Sequence, residues 1–223
     1  MKTILTAAIL FIMIITSLAI GKTITQNSGK SNQIMNSTTD YIVFGMGCFW
    51  GAEKRMSEIP GVIDVESGYA GGDIVNANYQ QILAHEKALR AGKTEARNHA
   101  EVIKVTFNPE KVSLETVLAK FWENHNPTQG DRQGNDIGTQ YRSAIFPHDA
   151  EQQQAARAGI TRAQADHVLP IVTTIEPLAT WYPAEGYHQD YWNRVGTQNG
   201  YCMAVIPPKL QKLRKKFAEK LAG

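Results

Sequence analysis

Along the chain the hydrophobic positions change their period several times, and each change marks an element. Tyr41-Ile42-Val43-Phe44 is a short continuous apolar run closed by Gly45 and Gly47, which predicts a buried strand. Cys48 to Glu58 follows as a helix candidate that Pro60-Gly61 must end. Val62 to Tyr69 alternates weakly and predicts a second strand. In Glu101 to Phe107 the alternation is clearer, with Glu101, Ile103, Val105 and Phe107 on one face. Ser113 then caps a helix whose Leu114, Val117, Leu118, Phe121 and Trp122 recur at helical spacing. Tyr141 to Phe146 is a strand stopped by Pro147. Asp149 caps an Ala/Gln-rich helix running to about His167, and Ile171 to Ile175 is a last strand before Pro177. The central order is strand, helix, strand, strand, helix, strand. That split βαβ order predicts an α+β, two-layer, ferredoxin-like core with helices packed on one side of an antiparallel sheet. Gln80 to Asn98 reads as a polar, partly helical connection. Leu178 to Cys202 reads as a long loop rich in aromatics, Gly and Pro, a kind of loop that usually carries function. A basic helix with Leu210, Leu213 and Phe217 on one side is expected from about Lys209 to Lys220.

The segment before the first strand has another character. Lys2 precedes a run of seventeen residues, Ile4 to Ile20, that is apolar apart from Thr6, Thr16 and Ser17. Small residues at Ser17, Ala19 and Gly21 resemble a cleavage site. Residues 1–21 are therefore expected to be a signal peptide, or an anchor at the lower limit of a membrane-spanning length. Export, to a periplasm or the exterior, is the expected location. Residues 22–40 are polar and read as a flexible linker, residues 41–206 as a catalytic domain, and residues 207–223 as the terminal helix. The 223 residues suffice for one domain with a sizeable core, and 43% apolar with 20% charged composition is that of a globular protein. A formal charge of +2 gives no electrostatic case for nucleic acid. Two cysteines, Cys48 and Cys202, without a C-x-x-C or paired-histidine spacing, argue against a metal site. In an exported protein the plain reading of two cysteines is a structural disulfide.

Local context points elsewhere. Gly47-Cys48-Phe49-Trp50-Gly51 sits where a buried strand meets a helix. A cysteine in the first helical turn faces unpaired N–H groups and the positive end of the helix dipole, which favour the nucleophilic thiolate. Phe49 and Trp50 either belong to the core or wall a small apolar pocket able to take an S-methyl group. Glu101 shares its strand face with three apolar residues. If that face is buried, its carboxyl keeps its proton near neutral pH and becomes a proton donor; if Glu101 lies at the exposed end of the strand, the facing matters little.

These pieces, with Gly68-Tyr69-Ala70-Gly71-Gly72, His99-Ala100-Glu101, Phe121-Trp122-Glu123-Asn124-His125 and Gly134-Asn135-Asp136-Ile137-Gly138-Thr139-Gln140-Tyr141-Arg142-Ser143, closely resemble the A-type peptide methionine sulfoxide reductases from about Tyr41 to Val205. The resemblance implies that Cys48 attacks the sulfoxide sulfur of free or protein-bound methionine sulfoxide, S epimer. It implies that Glu101 protonates the leaving oxygen while Tyr79 and Tyr141 hydrogen-bond it, and that Phe49 and Trp50 hold the methyl group. Cys202 matches the family's recycling cysteine, which forms a disulfide with the Cys48 sulfenic acid. Asp136 and His188 match polar positions lining the site. No bound cofactor is implied; an external thioredoxin-like thiol reductant is, and a monomer is expected. Three features depart from the family pattern. The connection from Tyr79 to His99 is longer, which puts Tyr79 in doubt. No cysteine follows Cys202. Export separates the enzyme from cytosolic reductants. Two rival readings remain: a cysteine hydrolase or acyltransferase pairing Cys48 with His188 or His99, and an exported binding domain stapled by a Cys48–Cys202 disulfide.

Overall fold

The computed structural model describes residues Thr39–Ala222; residues 1–38, with the expected signal or anchor and nearly all of the linker, lie outside the described residues. The elements run β1 (Asp40–Met46), α1 (Phe49–Ser57), β2 (Val62–Ala70), α2 (Tyr79–Arg90), β3 (Ala100–Phe107), α3 (Leu114–Asn124), β4 (Arg132–Gln133), β5 (Asp136–Ile137), β6 (Ser143–Phe146), α4 (Ala150–Gln164), β7 (Thr174–Ile175), β8 (Trp181–Pro183), α5 (Tyr191–Arg194) and α6 (Gly200–Ala222). One sheet has the order β7-β6-β1-β3-β2-β8, with antiparallel neighbours except β6 and β7. Its four central strands, with α1 between β1 and β2 and α3 between β3 and β6, form the split βαβ core of an α+β fold.

Both faces of the sheet are buried, which is why β1 reads as a continuous apolar run. Ile42, Phe44 and Met46 face the main core with Phe49, Met56, Val117, Leu118 and Phe121 from the helices. Val43, Ala100, Val102 and Phe146 face the other side, covered by Tyr41, Leu178 and Trp181. The alternation of β3 follows the same rule. Ile103, Val105 and Phe107 enter the main core, and Glu101 points the same way with 2% of its surface exposed.

Four boundaries differ from the sequence reading, each for a hydrogen-bonding reason. β6 starts at Ser143 because Thr139–Tyr141 forms a 3₁₀ turn, in which Tyr141 N–H bonds back to Gly138 O at 3.0 Å. β7 is reduced to Thr174–Ile175, since Ile171 N–H donates to the Gln164 side chain and Val172 N–H to Pro127 O. α4 ends at Gln164, and the N–H groups of Asp166 and His167 turn back onto Ala163 and Gln164. The largest difference concerns the terminal helix. It begins at Gly200, so Cys202 lies in a helical first turn and not in a loop. Asn199 starts it, accepting from Cys202 N–H at 3.1 Å through its side chain and from Met203 N–H at 2.9 Å through its carbonyl. Pro207 and Pro208 remove two amide donors inside it. The carbonyls that lose them belong to Met203 and Ala204, both exposed, so water can take the place of the missing bonds.

Candidate active site

Gly47 makes the corner between β1 and α1. Its φ of 91° is open to glycine, and a Cβ there would stand 2.7 Å from Gln133 Cγ. The chain thus delivers Cys48 to the N-cap of α1, where its carbonyl accepts from Ala52 N–H at 3.3 Å. The first amide of the helix, Phe49 N–H, donates to Glu101 Oε2 at 3.2 Å. The Cys48 side chain makes no capping hydrogen bond of its own, so the next amide, that of Trp50, favours a negative sulfur without fixing it. One helix start therefore serves both reactive groups.

A cavity of about 170 Å³ opens beside them, lined by Cys48, Phe49, Trp50, Tyr79, Glu101, Asp136, Tyr141 and Tyr201. Seven of these were legible as candidates, brought together from β3, β5, two helix starts and the 139–141 turn. The other two candidates stand behind the walls. His188, 2% exposed, accepts from Trp50 Nε1 at 3.0 Å through Nδ1 and touches the rings of Phe49 and Tyr79. It orients the aromatic wall and does not line the cavity. Cys202 is fully buried on α6 and lines, with Cys48, a smaller adjoining cavity. Both thiols are free.

Burial pushes the Glu101 carboxyl up to about 8, aided by the Asp136 charge and opposed by the Phe49 amide. Of the two alternatives the strand pattern left open for Glu101, the fold adopts the buried one, and burial favours the protonated acid. The expectation of a resting thiolate is not met. Burial first, and Glu101 second, push the Cys48 thiol well above its ordinary value, and the Trp50 amide does not offset them. Cys48 as a residue is half-buried, but the surroundings of its thiol are desolvating. Burial also raises Tyr79 to about 12 and lifts Tyr141 and Tyr201, so all three phenols keep their protons and can donate. Tyr201 donates to Asp136.

The hydrolase reading finds no base. His99 Nδ1 accepts from Gly72 N–H at 3.1 Å, and its Nε2 meets Ile74 O at 2.8 Å; both nitrogens hold a turn. His188 is turned to Trp50.

Several supporting residues escaped the sequence reading. Tyr191 stacks on Trp50 with ring centroids 3.8 Å apart. Glu185 accepts from Tyr69 Oη and from Tyr79 N–H, both at 2.9 Å, fixing the start of α2 beside the cavity. The long connection after Tyr79 is a true helix with an Asn78/Gln81 capping box. Its buried Glu86 accepts from Thr139 N–H at 3.1 Å and Thr139 Oγ1 at 2.5 Å, and Arg90 Nε closes on it at 2.8 Å. This helix thereby braces the turn that carries Tyr141, and Tyr79 at its start lies in the cavity wall.

A family model described as peptide methionine sulfoxide reductase matches residues 40–221. The peptide methionine sulfoxide reductase MsrA of Erwinia tasmaniensis is 52% identical over 81% of this chain and 96% of its own length. The human mitochondrial peptide methionine sulfoxide reductase is 42% identical over 79% of this chain and 72% of its own. Among solved structures, methionine sulfoxide reductase A of Corynebacterium diphtheriae superposes with a TM-score of 0.60 at 39% identity, over 70% of this chain and 74% of that one. Mxr1 from Saccharomyces cerevisiae in reduced form gives 0.62 at 30% identity, over 77% and 91%. The chain belongs to the peptide methionine sulfoxide reductases of the A type and is an oxidoreductase of that family.

Proposed function

We propose that the enzyme reduces the S epimer of methionine sulfoxide, free or in proteins, by attack of Cys48 on the sulfoxide sulfur. Glu101 gives its proton to the sulfoxide oxygen, which is a poor leaving group until protonated. The Cys48 thiol proton replaces it on Glu101. Attack joins the Cys48 sulfur to the substrate sulfur; the protonated oxygen then passes to the Cys48 sulfur as both the S–O bond and the new S–S bond to the substrate sulfur break, so that Cys–SH and sulfoxide become Cys–SOH and methionine. The phenols of Tyr79 and Tyr141 hold the oxygen, and the rings of Phe49 and Trp50 receive the methyl group. Cys202 then condenses with the sulfenic acid, releasing water and leaving a Cys48–Cys202 disulfide. A thioredoxin-like dithiol returns both to thiols by exchange. The amino-terminal segment directs this catalytic unit out of the cytoplasm.

The single observation carrying this reading is the shared cavity, in which a neutral buried carboxyl and a cysteine take their places from one helix start. The test mixes the purified domain with a dithiol and both epimers of a methionine sulfoxide peptide. Consumption of the S epimer alone is expected; survival of that epimer defeats the assignment. With Cys202→Ser and thioredoxin as the only reductant, product should stop near one equivalent per enzyme. Continued turnover would remove Cys202 from the cycle.

A further inference from the structure

The site leaves one question open: what carries the negative charge of Cys48 during attack, when burial opposes it. The smaller cavity behind the sulfur supplies two groups that the reaction scheme has not used, Arg55 of α1 and Lys209 of α6. Arg55 is 3% exposed and makes no hydrogen bond or ion pair with any described residue; its Nε is buried without a partner. Lys209, half-buried, has no ion pair among the described residues either. Burying a cation without an anion is costly, so an unpaired guanidinium inside a protein calls for a negative charge at some stage of function.

The placement repeats on two helices. Cys48 stands at the start of α1 with Arg55 seven residues on, and Cys202 in the first turn of α6 with Lys209 seven residues on. Residues at i and i+7 share a helix face, and helical side chains lean back toward the N-terminus. Arg55 leans back in this way, its Nη1 lying 2.8 Å from where a Cβ on Gly51 would stand, and both cations line the small cavity with both cysteines. The helices meet where Gly51 faces Ile206, whose Cγ1 would lie 3.4 Å from an added Cβ, so both pairs open on the same space. Other charged groups do not satisfy the cations. Glu101 keeps its proton, Asp136 is engaged by Tyr201 and lies beyond ion-pair distance of both, and buried His125 is neutral and bonded to Phe121 O and Ser143 Oγ.

We propose that Arg55 and Lys209 form a cationic floor beneath Cys48 that holds the charge of its thiolate during attack and again when the disulfide is reduced. This rests on Cys48 being the nucleophile and Cys202 its recycling partner. Burial brings Arg55 down to about 10 and Lys209 to about 8, the latter with Arg55 as second cause, and a negative sulfur opposes both shifts. At neutral pH both remain cations, mutually repelling until a thiolate forms between them. They touch no substrate and are positioning residues, acting through the sulfur.

The test uses the Cys202→Ser background, in which Cys48 is the only thiol. Alkylation by iodoacetamide is followed from pH 6 to 10, together with methionine formed in a single turnover. Arg55→Met should slow alkylation at neutral pH about tenfold, moving its midpoint up by about one pH unit. Single-turnover methionine formation should slow in proportion with half-saturating sulfoxide unchanged, and Arg55→Lys should recover most of the loss. Lys209→Met, at a half-buried position that tolerates the change, should move the midpoint the same way by less, and carries the test if Arg55→Met does not fold. Wild-type midpoints in the folded methionine variants overturn the proposal, whatever happens to turnover. Failure of the parent Cys202→Ser enzyme to make any methionine, with Cys48 alkylating normally, would instead defeat the underlying assignment of Cys48.

Discussion

The cavity has two walls held by different means. Glu101 stands in β3, paired with β2 out to Ala100 and with β1 from Phe107 to Ile103, and Tyr69 of β2 is directly across the ladder from it. The opposite wall comes from the carboxy-terminal segment, where Trp50 is fixed by a stack on Tyr191 and a bond to His188, Asp136 by Tyr201, and Cys202 by the Asn199 start of α6. The first wall is held by backbone hydrogen bonds in a dry sheet, the second by single side chains. An acid whose proton must stay in place gains from the first kind of support. A cysteine that must meet first a sulfenic acid and then an external dithiol gains from the second, because segments tied by few side-chain contacts open at lower free-energy cost.

The sharpest way to break this contrast is at the reacting atoms. Cys48→Ser should lower sulfoxide reduction on the order of 10³-fold or more, leaving folding intact by circular dichroism. Glu101→Gln should cost about 10²- to 10⁴-fold in turnover, the usual range for a lost general acid. In the parent enzyme turnover should fall as pH rises through about 8, where Glu101 loses its proton. Stability moves with the same group. The folded protein holds a proton to about 8 that the unfolded chain releases at about 4.3, so between those values stability falls as pH rises. Glutamine has no such proton, and the Tm advantage of Glu101→Gln over the parent should grow across that window in a melting series.

Smaller effects come from the supports. Glu86→Ala leaves the Thr139 amide without its acceptor and should cost about 1–3 kcal/mol by denaturant melts. Turnover should drop about tenfold as the 139–141 turn loosens, with Tyr141 losing its place more than Glu101. At the far end of the scale, Arg214 is an exposed partner of Glu58, which keeps Lys54 as a second partner, so Arg214→Ala should leave turnover unchanged and Tm within error.

The same two walls explain what could be read from the chain beforehand. Alternation in β3 and the apolar run of β1 are local patterns, and they located Glu101 and Cys48 without any tertiary knowledge. Whether Glu101 was dry depended on the start of α1 packing over its face of the sheet, where Phe49 N–H reaches it, and no period in β3 records that. The charge state of Cys48 was misjudged for a related reason: a helix start is visible in sequence, the desolvation around it is not. Glu185 was hidden because its partners, Tyr69 and Tyr79, stand more than a hundred residues away. The terminal helix starts at Gly200, nine residues earlier than its basic stretch from Lys209 suggests, because the carbonyls that Pro207 and Pro208 leave unbonded belong to exposed residues and α6 runs through. The seven-residue spacing from each cysteine to a cation was in plain sight; only the meeting of α1 and α6 gives it meaning.

The central claim is that a carboxyl beside the nucleophile keeps its proton at neutral pH. Isotope-edited infrared spectroscopy of the substrate-free enzyme, with Glu101→Gln as the blank, reads that carboxyl directly. A protonated C=O band persisting to about pH 8 is the expected result. A carboxylate already present at pH 5 would contradict the account.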